Sequence, residues 1–598
     1  MQTITVQLEA VFRKAISKAF GVQADPLIAQ AVNEKFGDYQ SNAAMGLAKQ
    51  LATKTGQKTN PRSVAEKITE NLELGDIASE ISIAGPGFIN VRLSGDWLRK
   101  QLASIGGDPR LGIETTANPR QVVVDYSGPN VAKEMHVGHI RSTLIGDALA
   151  RTIEFQGNPV IRQNHLGDWG TQFGMLIAYL DSPDRKTPVD YEVHIYDTLG
   201  VNKSENTGTS PQTQVHISDL EEFYRAAKVE FDKVPPFADR AREIVVALQA
   251  GDADIVAKWN MIVEASRQHF QPLYLRMGIN LSRADERGES FYNPFLAEVV
   301  NELKQNRVAV ESQGAVVVWV EGFESPLIIQ KSGGGFGYPT TDLAAIRFRV
   351  QQLGARRIIY VTDARQIQHF KQVFFTARKA NWVKDVDLEH VTFGSILGED
   401  GTPFKTRTGG TVKLKDLLDE AHQRAFTLVT EKNPELPESQ RQDIARAVGI
   451  GGIKYFDLAR DRTGDYVFSW EKMLAMDGNT APYLQYAYAR IRSIFRKAGL
   501  PRGNHEQIQL QTSHELTLAK HILRLGEVIE VVGRELKPHH LCNYLYELAT
   551  NFSGFYENCP VLQSPEPTRS SRLGLCEVTA RTMAVGLDLL GIEHPEQM

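Results

Sequence analysis

QVVVDYSGPNVAKEMHVGHIRSTLIGDALARTIEFQGNPVIRQN, Gln121–Asn164, carries the alternation of strand and helix that identifies the fold class. It opens with a short β-branched run, Gln121–Ser127, as a strand buried on both faces requires. A loop carrying Gly128 and Pro129 follows, then a helix expected from about Arg141 to Gln156, then a second short strand, Asn158–Asn164. Strand, loop, helix and strand in that order make a βαβ unit, the building block of a parallel sheet. The same character returns at RRIIYVTD, Arg356–Asp363. One α/β domain is therefore expected over 111–433, a doubly wound parallel sheet with its site at the C-terminal strand ends.

Working outward, residues 187–326 break the pattern and read as an insertion between two halves of that domain. Val201–Gln214 (VNKSENTGTSPQTQ) is rich in small polar residues and reads as a mobile loop. Asp219 to about Met277 has helical periodicity. On the N-terminal side, 106–120 looks like a linker and 1–110 like a small α+β domain. Leu8, Val11, Phe12, Ala15 and Phe20 recur at roughly helical spacing, and Ile81–Leu93 (ISIAGPGFINVRL) reads as strand, glycine turn, strand. Residues 434–598 read as all-helical. Thr512 and Glu515 form a capping-box pattern, and Gly591 suits the end of a late helix.

Composition bounds the function without naming it. The 598 residues are 42% hydrophobic and 23% charged, the balance of a globular chain of several domains. A net charge of −5 gives no overall basicity, but phosphate binding depends on where cations gather locally. The first twenty residues lack the apolar stretch of a signal peptide, and no segment is apolar enough to span a membrane, so a cytoplasmic protein with no membrane partner is expected. Cys542, Cys559 and Cys576 form no CxxC pair, so no structural metal and no disulfide framework are expected, only buried thiols.

The sharpest chemical feature is His136-Val137-Gly138-His139, set between a strand and a helix start. Free backbone N–H groups and the helix dipole favour anions there. Gly138 allows close backbone approach, and two imidazoles can hydrogen-bond phosphate oxygens as charge builds in a transition state. Ser332–Gly337 lacks the spacing and the ending of a phosphate-cradling loop and reads as a flexible approach to Tyr338. Trp382 and Trp470 read as packing residues.

His136–His139 resembles the HIGH motif of class I aminoacyl-tRNA synthetases, and longer runs resemble the arginyl-tRNA synthetases in particular. These are Asp125–Thr143 (DYSGPNVAKEMHVGHIRST), FGDYQSNAAM at 36–45, HLGDWGTQFGML at 165–176, GESFYNP at 288–294, YVTDARQIQHF at 360–370 and GNTAPYLQYAYARIRS at 478–493. They span nearly the whole chain. The resemblance implies a Rossmann-like class I catalytic domain, an α+β N-terminal domain that touches the outer corner of tRNA, and an all-α anticodon-binding domain. The implied activity is ATP-dependent ligation of arginine to tRNA(Arg) through an arginyl-adenylate, with Mg²⁺ accompanying ATP and the protein acting as a monomer. Activation of arginine is implied to need bound tRNA.

Where the class carries its KMSKS loop, this chain reads Lys405-Thr406-Arg407, and a Lys stands before the HIGH-like motif at Lys133. Both features resemble many arginyl enzymes. Which of Lys133, Lys405 and Arg407 dominates phosphate contact stays open; Thr406 joins His136, His139 and Lys133 as an expected ATP contact. A guanidinium offers a rigid fork of donors and needs carboxylates to receive it. Asp125 and Asp342 are the candidates, with Tyr338, Gln366 and Asn130 as further arginine-binding residues by resemblance. Tyr488, Arg490 and Arg492, near Tyr483, Tyr486, Arg496 and Lys497, have the aromatic–cation mixture that single-stranded RNA recognition uses. Two other readings stand beside this one: an HxGH nucleotidyl transferase acting on a small substrate without tRNA, and a synthetase-like protein that holds RNA without activating an amino acid.

Overall fold

The computed structural model describes residues 2–56, 58–183, 185, 189–194, 212–217, 219–404, 412–500 and 508–598. They fall into two units, 118–424 with 460–470, and 1–117 with 425–459 and 471–598.

In the first unit four short strands lie side by side in the order Asp387–Phe393, Arg357–Asp363, Val122–Asp125, Val160–Gln163. Every pairing is parallel. From Val122–Asp125 the chain steps outward to Val160–Gln163. After a long excursion it returns on the other side, at Arg357–Asp363. The order therefore reverses between Val122–Asp125 and Arg357–Asp363, where Val123 pairs with Ile358 and Asp125 with Tyr360. In such sheets the crevice beyond the carboxyl ends of those two strands is where ligands bind.

Val122, Val123 and Val124 are buried because helices cover both faces. One is Val137–Phe155, whose apolar residues Ile140, Leu144, Ile145, Leu149 and Ile153 are all buried. Gly146 lets that helix lie against the strand end, since a Cβ there would fall 2.2 Å from the Tyr126 Cβ. The helix starts four residues earlier than its apolar periodicity predicts, because the His136 side chain supplies the cap. Tyr292, Leu296, Leu343, Ile346, Ile358 and Phe374 belong to one core cluster of this unit.

The excursion holds an antiparallel pair, Val189–His194 with Gln212–Ile217, helices Leu220–Lys233, Pro235–Ala250, Ala253–Met277 and Glu289–Gln305, and a three-stranded antiparallel sheet. Of the stretch expected to be a mobile loop, 201–211 lies outside the described residues. Gln212–Gln214 belongs to a strand, its backbone paired with Glu192–His194. Ser332–Gly337, expected to be flexible, closes as a turn, with Lys331 N–H donating to the Gly335 carbonyl at 2.8 Å. Trp382 is buried and its indole N–H donates to Glu302; Trp470 packs edge-on to Phe468.

In the second unit an antiparallel sheet runs Ile28–Gln30, Tyr39–Ser41, Phe88–Leu93, Ala78–Ala84. The turn at Gly85–Gly87 falls where the glycines predict it. Gly87 has φ +134°, and a Cβ there would meet the Pro61 carbonyl at 2.8 Å. The C-terminal helices include Glu438–Leu458, Ala481–Ala498, Ser513–Leu523, Leu525–Glu535, His539–Asn558 and Thr568–Leu589. The capping box forms, with Thr512 N–H donating to Glu515 Oε2 at 2.9 Å. Gly591 has φ +64° just past the last helix. Within this unit the first helix, Ile4–Phe20, and the strand Tyr39–Ser41 are fastened to the C-terminal helices by the Glu527 carboxylate, which accepts from Thr5 N–H, Thr5 Oγ1 and Tyr39 Oη at 2.7–3.0 Å, and by an ion pair between Lys520 and Asp38. All three cysteines are buried and free.

Candidate active site

The turn at His136–His139 is a reciprocal cap. His136 Nδ1 accepts from Gly138 N–H at 3.0 Å, and His136 N–H donates to His139 Nδ1 at 3.2 Å. An imidazole nitrogen that accepts carries no proton, so in each neutral ring the proton sits on Nε2. The pair therefore holds two Nε2–H donors at a helix start. Burial pulls the His139 pKa down to about 3, with His136 adding to the effect, and burial also lowers His136. Both rings are neutral donors at physiological pH. Gly138 has a reason beyond close approach of a ligand: a Cβ there would fall 2.7 Å from the His136 ring.

The loop leading to this turn is held in place. Ser127 and Ala132 adopt φ +73° and +67°, conformations that cost non-glycine residues of order 1–3 kcal/mol unless surroundings impose them. Here they are imposed. Ser127 N–H donates to Ser142 Oγ at 2.9 Å, and Ser142 Oγ donates to the Val361 carbonyl of the neighbouring strand. Ala132 N–H donates to Ser266 Oγ at 2.9 Å. Lys133 is exposed with its ammonium 4.4 Å above the Tyr224 ring. Lys405, Thr406 and Arg407 lie outside the described residues, but their flanks are anchored. Phe404 N–H donates to the Ile396 carbonyl, while Val137 N–H donates to the Val412 carbonyl and Leu414 N–H to the Met135 carbonyl. The downstream flank of the basic triplet thus runs beside the histidine turn.

An acidic cluster forms from three distant segments. The buried Asp168 carboxylate receives Ser290 N–H at 2.9 Å and Ser290 Oγ at 2.7 Å, capping the helix Glu289–Gln305 from outside. Gly288 makes room for it, since a Cβ there would fall 2.1 Å from Asp168 Oδ2. The next residue, Glu289, is half-buried. Burial first, then Asp342 and Asp168, push its carboxyl up to about 7. Asp342 sits in the first turns of the helix Tyr338–Gln351 and accepts from His369 Nε2 at 2.5 Å. The His369 ring packs on Tyr338, centroids 4.8 Å apart, and Tyr338 itself is 64% exposed. Gln366 is exposed at the start of the helix Ile367–Lys379, and exposed Asn130 forms a backbone bridge to Gly167. Glu289 was not among the candidates read from the sequence. GESFYNP carried resemblance there but no chemistry, because the chemistry arises only when Asp168 and Asp342 fold against it.

Three of the expected residues have partners within the chain. Asp125, expected to receive a substrate guanidinium, accepts from the chain's own Arg349, whose Nη2 donates to Asp125 Oδ2 at 2.6 Å. Arg349 is fully buried and Asp125 is 7% exposed, so this carboxylate already has a cation partner within the chain. Tyr488 and Arg492 were expected to face RNA. Tyr488 is 2% exposed, and Arg492, also buried, pairs with Glu577 at 2.7 Å. Both lie on the inner face of the helix Ala481–Ala498. Arg490 is half-buried with its guanidinium over Tyr556, whereas Tyr486, Arg496 and Lys497 are exposed.

A family model described as the class I (R) tRNA synthetase catalytic domain matches residues 104–206 and 198–470. The arginyl tRNA synthetase N-terminal domain matches 6–93, and the DALR anticodon binding domain matches 484–598. An arginine–tRNA ligase of Cellvibrio japonicus is 51% identical, covering 97% of each chain. One of Laribacter hongkongensis is 47% identical over 100% of each. The crystal structure of an arginyl-tRNA synthetase from Plasmodium falciparum superposes with a TM-score of 0.84 at 34% identity, and one from Thermus thermophilus with 0.80 at 25%, both covering 100% of each chain.

Proposed function

The chain belongs to the arginyl-tRNA synthetase family, and from that premise we propose how its residues divide the work of joining arginine to tRNA with ATP. The observation that carries the proposal is the clustering of Glu289 with Asp342, the Glu289 carboxyl being pushed up to about 7 by burial first and then by Asp342 and Asp168. The arginine guanidinium supplies a cation to this cluster, and its fork of donors matches two carboxylates. Tyr338 lies against the same group. A neutral isostere of arginine would leave the carboxylates unpaired, which is what selects against it.

Arginine held there offers its carboxylate to the α-phosphorus of ATP. The attacking oxygen forms the new P–O bond, and the bond to pyrophosphate breaks. The Nε2–H donors of His136 and His139 and the ammonium of Lys133 stabilise the charge that moves onto the phosphate oxygens. Lys405, Thr406 and Arg407 keep the phosphate role that the family resemblance gives them. Mg²⁺ enters with ATP, held by phosphates and water, since the groups at the histidine turn are hydrogen-bond donors suited to anions. The terminal ribose hydroxyl of tRNA then attacks the arginyl carbonyl, and AMP leaves. Asn130 and Gln366 hold the amino-acid end of arginine. Exposed Tyr486, Arg496 and Lys497, with Arg490, face the tRNA. A cytoplasmic monomer completes the proposal; among the described residues no helix is long and apolar enough to cross a membrane.

Arginine-dependent ATP–pyrophosphate exchange, run with and without tRNA, tests it. The wild-type protein is expected to exchange only when tRNA is present. Asp342→Asn is expected to raise the arginine KM while leaving the ATP KM in place; an unchanged arginine KM would remove Asp342 from the site.

A further inference from the structure

We propose that His369 is a positioning residue for arginine recognition, its Nε2–H fixing one oxygen of the Asp342 carboxylate so that the other is presented to the guanidinium. This rests on Asp342 being a guanidinium ligand. An ionised carboxylate only accepts, so in the 2.5 Å contact His369 Nε2 is the donor. Tyr338 and Asp342 are four residues apart on one helix and share a face. His369, in the first turn of the next helix, touches both, with its ring on Tyr338 and its Nε2 on Asp342 Oδ2. Phe370 closes the third side, its ring 5.1 Å from the imidazole. The ring is therefore clamped, and through it the two helices are joined at the ends that flank the crevice. His369 and Asp342 side chains are 14% and 16% exposed, so water competes little for the bond.

A carboxylate at the end of a short side chain rotates, and a fork of two donors rewards one orientation. Without the imidazole donor, that ordering must be supplied by the substrate on binding. Loss of a hydrogen bond to a charged group weakens arginine binding by about 10- to 100-fold. The turnover of bound arginine is unaffected, because the bond is present before and during reaction.

The test uses the full-length protein and tRNA-dependent ATP–pyrophosphate exchange. His369→Phe keeps a ring against Tyr338 and loses the donor; His369→Gln keeps a donor. H369F is expected to raise the arginine KM by about 10- to 100-fold with kcat and ATP KM little changed. H369Q is expected to return most of that loss. The positioning role is overturned if H369F leaves the arginine KM within about twofold of wild type, if H369Q is as impaired as H369F, or if the ATP KM rises in parallel. Thermal melting reports whether H369F folds; should it not, H369A carries the same expectations. D342N separates the two levels. If D342N raises the arginine KM and H369F does not, only the positioning role falls; if D342N has no effect, the assignment of Asp342 falls first.

Discussion

Arginine binding should be coupled to proton release at Glu289. Burial, with Asp342 and Asp168 beside it, pushes this carboxyl up to about 7, against about 4.3 for an unperturbed glutamate. At about 1.4 kcal/mol per tenfold, ionising it in the empty site costs about 3–4 kcal/mol more than in water. The guanidinium removes that penalty, so the bound state holds an ionised Glu289. A ligand that needs the ionised form binds about twofold below its limiting affinity at pH 7 and about tenfold below it at pH 6. The arginine KM should therefore rise about tenfold from pH 8 to pH 6. Calorimetric titration with arginine at pH 7, in two buffers of different ionisation enthalpy, should show release of about half a proton. Glu289→Gln should raise the arginine KM at pH 8 and flatten its pH dependence. The sign for stability follows from the same comparison. The folded protein holds this proton more tightly than the unfolded chain, so unliganded stability falls as pH rises from about 4.5 to about 7. E289Q should then melt higher than wild type at pH 8 without arginine. An arginine KM that stays flat from pH 6 to 8 in the wild type, or keeps its slope in E289Q, would show that Glu289 does not ionise on arginine binding.

His139→Ala should slow adenylate formation by about 10²–10³-fold, the usual effect of removing one transition-state donor, while tRNA affinity changes little; equal losses in both would remove it from the chemistry. Asp125→Asn leaves the Arg349 charge uncompensated in the core and should destabilise the protein by about 3–5 kcal/mol in thermal or urea unfolding. A raised arginine KM with unchanged melting would instead return Asp125 to the substrate site. Arg496→Glu should weaken tRNA binding and lower the salt dependence by about one counter-ion, whereas Tyr488→Phe, which loses only internal bonds to Glu596 and Arg492, should leave tRNA affinity alone. The reverse pattern in filter binding would move the RNA face of this helix to its inner side.

The parts of the site legible in the sequence are those whose chemistry is local. The histidine turn is one: strand, loop and helix start are adjacent in the chain, and the anion-binding property comes with the helix terminus itself. Even there the sequence underdetermines the reason for Gly138, which stands as much against the His136 ring as against any ligand. One hairpin of the N-terminal sheet is equally readable, because its turn glycines and strand alternation lie within thirteen residues, whereas the strands Ile28–Gln30 and Tyr39–Ser41 carry no such signal. Asp125 and Glu289 mark the limit. An acid at a strand end reads as available until its partner is known, and Arg349 stands 224 residues away. Glu289 is ordinary in sequence and becomes perturbed only when folding buries it, with Asp342 and Asp168, from separate segments, adding to the shift.

The helix proposed to face RNA, Ala481–Ala498, is a different case, because its period already carries the answer. Leu484, Tyr488, Ile491 and Phe495 recur at four, three and four residues, the spacing of one buried stripe, and Arg492 lies beside it. Tyr486, Arg496 and Lys497 fall off that stripe and are exposed. Grouping aromatics and cations by proximity in sequence merges the two faces, while grouping them by angle separates a tyrosine that packs from one that is free to stack on a base. The same angular rule places Tyr338 and Asp342 on one face of their helix, where His369 meets both. The proposed arginine site thus rests on a face shared by two residues a helical turn apart, and the residue that joins them comes from the next helix, where no local pattern announces it.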